Sequence, residues 1–452
     1  MSEGESGGAV DRSEGDVNLS PRRDAHLARH LGPRGRELVA RDEAVFFRQA
    51  LSTPCLDAIL AAHGARLRTA DGRELLDFHG NSVHQLGFGH PRVVAAVKRA
   101  LDELPFCPRR FTNPYAVELA ERLCAAAPGG PWKLLLAPAG TVAVGMALRL
   151  VRHLTGRHKI LSFWGSFHGV GLDAASVGGE ALFRREVGPL LPATEHLPPP
   201  TRGRCPHGCT DDAHSGCLER IDRVLAAEGD FAALFAEPVR WTTVELPPPG
   251  FWRAVREICD RHGVLLVFDE IPSCLGRSGS LFVYEQMQAV PDILLLGKGL
   301  GGGLFPLAAM LAKAAFDRFP AFAIGHVTHE KSSVGCAAAL ATLAVIEEED
   351  LCGRVRRLGE LVLGRLRERL RGHPLVAEVR GIGMQWALEL RRPDGAPAVA
   401  EAEEVLYGCL ARGLSFKIGA GSTLVLGPPL TIARAELEAA LAILEDELGR
   451  LA

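Results

Sequence analysis

The sequence has no strong excess of either charge, no long apolar run and no basic leader. Lys and Arg number 51 against 54 Asp and Glu, for a net charge of −3 over 452 residues. This balance argues against the basic surface on which nucleic-acid binding depends. No uncharged apolar stretch reaches the roughly 18 residues that a membrane span requires. We therefore expect a protein that binds neither nucleic acid nor membranes.

Hydrophobic residues at 47% and charged residues at 23% are typical of a folded globular protein. The opening MSEGESGGAVDRSEGD is acidic and rich in Gly and Ser, unlike a secretory signal. Residues 1–25 have too few large apolar side chains to build a core, so we predict a flexible tail there. We expect a cytoplasmic location, where the 11 cysteines stay mostly reduced.

From about residue 130, short apolar runs alternate with amphipathic segments. The runs are KLLLAPA, HKILSFW, FAALFAEP, VLLVFDE and DILLLGK, and helices are predicted over 140–156 and 250–263. The alternation is typical of an α/β domain with a mostly parallel sheet. LPATEHLPPPTRGRCPHGC predicts a long surface loop. After about residue 322 a smaller α+β domain is predicted, with helices near 398–412 and 433–450.

Ionisable residues stand where three of these predicted strands end. Glu237 follows FAALFA, Asp269 closes VLLVFD, and Lys298 follows DILLLG within a glycine-rich segment. The carboxyl ends of parallel strands converge on one crevice, so we expect these side chains to lie together. A desolvated lysine has a lowered pKa and becomes a nucleophile. For each residue alone, the alternative is a solvated acid or a surface lysine.

Two further segments have the features of a binding site. Gly140 and Thr141 begin a helix directly after a strand, where free amides and the helix dipole favour an anion. Phe167 and His168, in SFHG, follow the next strand and offer an aromatic surface for stacking. Taken alone, these residues are better explained as an ordinary helix start and a core aromatic.

Thiols and imidazoles cluster within the predicted loop. CPHGCTDDAHSGC contains Cys205, Cys209 and Cys217, with His207 and His214 nearby. Three thiols and an imidazole can form a tetrahedral zinc site, but the spacing matches no common zinc module well. Free thiols in a loop are the alternative. The sequence leaves this choice open, and we assign no metal to the catalytic site.

In this order, the segments resemble the class III, or omega-type, pyridoxal-phosphate aminotransferases. The resemblance runs from about residue 70 to the C-terminus and includes LLDFHGNSVHQLGFGHPRVVAAV, AGTVAV, SFHG, AEPV, LLVFDEIPSCLGRSGSLF, PDILLLGKGLGGGLFPLAAML and GPPL. It implies the PLP-dependent transferase fold of type I. We accordingly predict a disordered tail (1–25), an N-terminal segment packing with the small domain (26–75), a large PLP-binding domain (76–322) and a C-terminal small domain (323–452).

The resemblance also implies a role for each matched residue. Lys298 is the lysine that forms a Schiff base with pyridoxal 5'-phosphate and moves the substrate proton, while Asp269 pairs with the pyridine nitrogen. Thr328 reaches the phosphate of the neighbouring subunit, which implies a homodimer with shared active sites. The implied cofactor-binding residues are Gly140, Thr141, Phe167, His168, Glu237, Asp269, Ile271, Lys298 and Thr328.

Several positions depart from the family pattern. Pro272 and Arg240 each replace a usual glutamine, and Val425 stands where members that use α-amino acids commonly have a carboxylate-binding arginine. An α-carboxylate left unpaired beside Val425 would cost about 1–3 kcal/mol, so a substrate without that group is favoured. Arg240, Arg109 and Arg110 are the predicted substrate-binding residues, with exposed surface cations as the alternative.

These features favour transfer of an amino group from a primary amine or omega-amino acid to a keto acid. The alternative is elimination by an ammonia-lyase or phospho-lyase acting on a (hydroxy-)2-aminoethylphosphonate-like substrate or a phosphorylated amine. A non-catalytic regulatory protein is a third possibility, which the presence of both Lys298 and Asp269 disfavours.

Overall fold

The structure is a computed structural model that describes residues 20–201, 205, 207–210 and 214–452. Most of the predicted tail lies outside these residues. Helix α1 (Pro21–His30) nevertheless begins within the predicted tail, because the Ser20 side chain accepts a hydrogen bond from the Arg22 amide and Pro21 occupies the first turn. Helix α2 (Pro33–Val45) follows directly.

The beginning and the end of the chain share a small sheet. Its strands, in spatial order, are β1 (Ile59–His63), β2 (Arg66–Thr69), β3 (Glu74–Asp77) and β13 (Leu414–Ser415). Strand β13 pairs with β3 in parallel, placing Leu414 opposite Leu76. The N-terminal segment therefore pairs with the C-terminal part of the chain.

A seven-stranded sheet forms the core of the large domain, in the order β4-β10-β9-β8-β7-β5-β6. Strand β10 runs antiparallel to both neighbours, and the other pairs are parallel. The mostly parallel α/β sheet is therefore confirmed. The strands are β4 (Trp132–Ala137), β5 (Lys159–Phe163), β6 (Thr194–Leu197), β7 (Phe231–Ala236), β8 (Leu265–Asp269), β9 (Ile293–Leu296) and β10 (Ala308–Lys313).

Helices cover this sheet. They are α3 (Pro91–Glu103), α4 (Pro114–Ala126), α5 (Gly140–Thr155), α6 (Leu172–Val177), α7 (Ser215–Glu228) and α8 (Phe251–His262). Helices α5 and α8 match the predicted positions, and each ends at a left-handed glycine, Gly156 or Gly263. The predicted loop at LPATEHL is wrong in part, because Thr194–Leu197 forms the edge strand β6. Its polar sequence TEHL gives no apolar strand signal.

The C-terminal part has its own four-stranded sheet, in the order β11-β12-β15-β14. Its elements are α9 (Ser333–Glu348), α10 (Leu351–Arg369), β11 (Val376–Ile382), β12 (Gln385–Leu390), α11 (Val399–Ala411), β14 (Lys417–Gly419), β15 (Thr423–Leu426) and α12 (Arg434–Gly449). No helix in the described part of the chain combines the length and apolar character needed to cross a membrane.

Candidate active site

The carboxyl ends of β7, β8 and β9 open on a cavity of about 540 Å³, closed on its other side by C-terminal strands. Its size is that of an ordinary small-molecule site. The structure brings together here every predicted cofactor-binding residue except Thr328. Those lining the cavity are Gly140, Thr141, Phe167, His168, Glu237, Asp269, Ile271 and Lys298.

Lys298 opens a short 3-10 turn (Lys298–Gly301) two residues after β9, with a left-handed φ of 47°. A non-glycine residue persists in this conformation only when its surroundings fix it. Burial lowers the pKa of Lys298 below its ordinary value. The carboxylates of Asp269 and Glu237 oppose this shift, and the charge of Lys417 reinforces it. The environment thus favours a neutral, nucleophilic amine.

Asp269 ends β8 and is almost completely buried. Its Oδ2 lies 2.7 Å from His168 Nδ1, and its Oδ1 accepts a hydrogen bond of 3.0 Å from the Ile271 amide. Burial alone would lower the pKa of His168, but the hydrogen bond and charge of Asp269, with the charge of Glu237, raise it. The carboxylate is thereby fixed in position at the floor of the cavity.

Glu237 is held in a similar way after β7. Its two carboxylate oxygens accept 3.3 Å hydrogen bonds from the Phe167 and Trp241 amides. Burial raises the pKa of Glu237, and Asp269 raises it further, while His168 and Arg240 lower it. Glu237 therefore connects the aromatic turn that carries Phe167 to the turn that follows β7.

Arg240 lies on the far side of Glu237. It lines a second, smaller cavity of about 40 Å³ together with Trp164, Pro199 and Pro200, but it does not line the central cavity. Its guanidinium packs so close to Gly165 that a Cβ there would lie 2.7 Å from Cζ. The chain thus places Arg240 beside Glu237 rather than in the central cavity, and its contact with substrate stays a prediction.

Glu270, next to Asp269, has a structural position. It is fully buried, and its carboxylate accepts hydrogen bonds of 2.6 and 2.7 Å from the Val283 and Tyr284 amides. Burial raises its pKa to about 8. Glu270 does not line the cavity. It secures the segment after β8 instead.

The first turn of α5 opens on the cavity through Gly140 and Thr141. Its N-cap residue, Ala139, makes no side-chain capping bond, and no acidic residue stands in the first turn. The first amides of the helix are therefore available to an anion. Gly140 is also required by packing, because a Cβ there would lie 2.8 Å from Ile271 Cδ1.

The opposite wall contains residues that the sequence analysis missed. Lys417, at the start of β14, faces the cavity and lies directly opposite Val425 of β15. His79 and Thr242 also line the cavity, and burial with the charges of Lys417 and Lys298 lowers the pKa of His79 to about 3. The sequence signal that could have pointed to Lys417 is a lysine between two large apolar residues, in FKI. Its facing direction follows only from the sheet register.

Arg109, Arg110 and Thr328 do not line the cavity of their own chain. Arg110 and Thr328 are exposed, and Arg109 is half-buried. Their two segments meet, because the rings of Phe106 and His329 lie 5.2 Å apart. The three residues therefore belong to one surface region of the protein.

The cavity fits the cofactor that the family resemblance implies. The uncapped start of α5 would hold the phosphate, Asp269 would face a protonated ring nitrogen, and Lys298 would bind the aldehyde carbon. Phe167 and Ile271 would pack against the ring. An anion site, a fixed carboxylate and an amine of lowered pKa in one cavity are the three groups that pyridoxal phosphate requires.

Comparison with known proteins gives a consistent result. The family model "Aminotransferase class-III" matches residues 49–448. The chain is 44% identical to an (R)-1-hydroxy-2-aminoethylphosphonate ammonia-lyase of Vibrio splendidus, over 97% of this chain and 95% of that protein. It is 35% identical to an acetylornithine aminotransferase of Methanopyrus kandleri, over 86% of this chain and 94% of that protein.

Among solved structures, a PLP-bound amine transaminase from an uncultivated Pseudomonas species is 30% identical, with a TM-score of 0.83. The match covers 90% of this chain and 99% of that chain. The predicted type I fold and the predicted cofactor are thereby confirmed. The chain belongs to the class III aminotransferase family and is a PLP-dependent enzyme.

Proposed function

We propose that the protein is an ammonia-lyase that acts on a hydroxylated 2-aminoethylphosphonate or a close analogue. The observation that carries the substrate class is Lys417, a cation facing the cavity where the neighbouring strand presents Val425. The reaction type is supported by the 44% identity to a lyase of this kind over nearly the whole chain. Of the two reactions that the sequence allows, the comparisons thus favour the elimination.

Lys417 is suited to hold an anionic group other than an α-carboxylate. Within the part of the chain that the structure describes, it forms no ion pair, and it is half-buried at the cavity wall. Directly opposed residues on adjacent antiparallel strands have Cβ atoms about 4.5–5.5 Å apart. The positive charge therefore lies one strand away from the position of the usual arginine, and Val425 itself offers only an apolar contact.

Lys298 would remove the proton from the carbon that bears the amine, because it is the cavity base with a pKa lowered by burial. When bound, the cofactor supplies an electron-poor ring that accepts the electron pair left on that carbon. The neighbouring hydroxyl then leaves as water. Water hydrolyses the resulting enamine to ammonia and a phosphonate-bearing aldehyde, so the net change is the loss of one ammonia.

Amino transfer to a keto acid is the second candidate. It is supported by the similarity to the acetylornithine aminotransferase and to the PLP-bound amine transaminase. Transfer uses the same lysine and the same carboxylate. It would differ in the position to which Lys298 returns the proton, and the amino group would leave only when a keto acid is supplied.

The two reactions are separated by one assay. Purified, PLP-loaded protein is incubated with racemic 1-hydroxy-2-aminoethylphosphonate, with and without pyruvate, and ammonia, aldehyde and alanine are measured. The lyase proposal expects equal amounts of ammonia and aldehyde in the absence of pyruvate. Formation of alanine that depends strictly on pyruvate, with no free ammonia, would establish amino transfer instead.

We further propose the roles of the individual site residues. Lys298 and Asp269 are catalytic, and the start of α5 at Gly140 and Thr141 donates to the phosphate. Phe167 and Ile271 pack on the two faces of the ring, while His168 and Glu237 hold Asp269 and the Phe167 turn. Arg240 acts on the site through Glu237, whose pKa its charge lowers.

We propose a homodimer in which the region around Arg109, Arg110 and Thr328 completes the neighbouring subunit's cavity. This region also carries two partly exposed aromatic side chains, Phe106 (42% exposed) and Phe111 (65% exposed). Exposed apolar groups beside cations are typical of a protein interface. The two arginines then offer a second set of cations to an anionic substrate. We also infer a cytoplasmic location, which the 11 free cysteines support.

A further inference from the structure

A second cluster of chemically reactive side chains lies apart from the active-site cavity, where the loop after β6 enters helix α7. It consists of Cys205, Cys209, His214 and Cys217. Each residue offers one donor atom, and all four atoms lie within 4.8 Å of one another. The structure thus selects His214, and not His207, from the two imidazoles that the sequence left open. The four residues are referred to below as the Cys3His cluster.

Two of the donor distances within the Cys3His cluster match the edge of a tetrahedral zinc site. Zn–S bonds of about 2.3 Å and Zn–N bonds of about 2.0–2.1 Å place ligand atoms about 3.6–3.8 Å apart. Cys209 Sγ and His214 Nδ1 each lie 3.7 Å from Cys217 Sγ. Cys205 Sγ lies 3.1 Å from Cys217 Sγ, shorter than a tetrahedral edge but well beyond a disulfide bond of about 2.05 Å.

The chemistry of the donors points to the same ion. Cysteine thiolates with an imidazole are the ligands that zinc prefers, and Cys3His is one of its common structural sets. The His207 amide donates a 3.4 Å hydrogen bond to Cys205 Sγ, a contact that stabilises a thiolate. Cys217 and His214 are buried, so two of the four ligands are already shielded from water.

The local backbone directs these ligands inward. His214 occupies the N-cap position of α7 in a left-handed conformation, and its carbonyl accepts hydrogen bonds from the Cys217 and Leu218 amides. Cys217 then lies in the first helical turn, beside His214. The start of α7 fixes two ligands, and the donor atoms of Cys205 and Cys209 lie beside them.

We propose that the Cys3His cluster binds one structural zinc ion, which fastens the loop after β6 to the start of α7. The same loop begins with Pro199 and Pro200, which line the small cavity that contains Arg240 and touches Glu237. None of the four ligand residues lines the central cavity, so the zinc ion is a stability element that takes no part in the reaction.

The first test measures metal in the PLP-loaded protein. Protein expressed with added zinc and passed over a desalting column is expected to retain about one zinc ion per chain, measured by mass spectrometry. The double variant Cys209→Ser/Cys217→Ser is expected to lose that zinc. The matched control Cys124→Ser/Cys352→Ser removes two half-buried thiols outside the cluster and should keep it.

A second test does not depend on the folding of any variant. Wild-type protein grown with cobalt in place of zinc should show the thiolate-to-cobalt charge-transfer band and the intense visible bands of tetrahedral coordination. A strong chelator should also lower the melting temperature of the wild-type protein.

Three results would overturn the proposal. The first is a zinc content at background in zinc-supplemented wild-type protein. The second is a cobalt spectrum of weak, octahedral type. The third is a Cys205–Cys217 disulfide found by peptide mapping of freshly purified protein. Each excludes a bound tetrahedral metal, and none bears on PLP binding or on the reaction at Lys298.

Discussion

The two walls of the central cavity differ in how their charged side chains are held. On the large-domain wall, each carboxylate oxygen of Asp269 and of Glu237 has a hydrogen-bond partner. On the opposite wall, Lys417 has no ion pair with any residue that the structure describes. Side chains that are already hydrogen-bonded suit a cofactor that stays bound, whereas an unpaired cation is available to a substrate that binds and dissociates.

On the large-domain wall, the substitution with the largest expected effect is Lys298→Ala. We expect a loss of turnover of about 10³-fold or more, because the base and nucleophile are both removed. Borohydride treatment followed by mass spectrometry should find the cofactor attached to wild-type protein and absent from the variant. Lys98→Ala, at an exposed position of α3, is the control. Attachment at Lys417 in the variant would contradict the assignment.

Arg380→Met tests the hydrogen bonds and ion pair that join strand β11 to Thr243 and Glu245, in the segment after β7. Arg380 is buried and pairs at 2.8–2.9 Å with Glu245 and Glu389, while it also donates to the Thr243 carbonyl. Removing it takes the cation away from the largely buried Glu245 carboxylate, while Glu389 keeps its ion pair with Arg391, and the loss costs about 3–5 kcal/mol of unfolding free energy. Urea denaturation measures the loss.

The control for this variant is Arg392→Met, which removes an exposed ion pair with Glu401 and should change stability little. Equal destabilisation by both substitutions would show that burial of the Arg380 network contributes nothing.

Asp269→Asn tests the electrostatic part of the large-domain wall. The side chain keeps its shape but loses the charge that faces the cofactor nitrogen, so kcat should fall about 10²–10³-fold. Cofactor attachment at Lys298 should persist, as borohydride trapping would show. A variant with unchanged kcat would argue that the ring nitrogen needs no carboxylate here. Asp317→Asn, at an exposed site, serves as the control.

Lys417→Met tests the role of the cation on the opposite wall of the cavity. Loss of one charge-assisted contact costs about 1.5–3 kcal/mol, so KM for a phosphonate substrate should rise about 10–100-fold while kcat changes little. Lys417→Arg should restore most of the affinity, and Lys98→Met should leave it unaltered. A fall in kcat at unchanged KM would place Lys417 in the chemistry rather than in binding.

The smallest expected effect is on pH dependence. Burial and Lys417 lower the pKa of Lys298, so its neutral fraction rises over a pH range below that of an ordinary lysine. The rate of PLP capture by the cofactor-free protein should therefore increase with pH over that lower range. Lys417→Met removes one lowering charge and should move the midpoint to higher pH. A shift to lower pH would contradict this electrostatic account.

The sequence predicts one wall of the cavity much better than the other. Strand ends of a parallel sheet converge by geometry, so Asp269 and Lys298 follow from the pattern and from the family resemblance. Lys417 and Val425 become neighbours only through the register of β14 and β15, which no local signal specifies.

Two further residues show the same limit. Arg240 does not line the central cavity, because its guanidinium packs against Gly165 of a different turn, a contact that the local sequence does not specify. The choice of His214 over His207 depends on where α7 begins. In both cases the deciding contacts lie in turns and helix starts, whose positions a hydrophobic pattern does not specify.

The short parallel pair between β3 and β13 has a consequence for how the enzyme matures. His79 follows one of these strands and Lys417 follows the other, so the cavity is assembled only after chain segments more than 300 residues apart have met. Contacts so distant in sequence form slowly. A nascent chain can therefore form the large sheet, with Asp269 and Lys298 at its strand ends, before the segment that carries Lys417 has been made, so the substrate-binding wall is completed last.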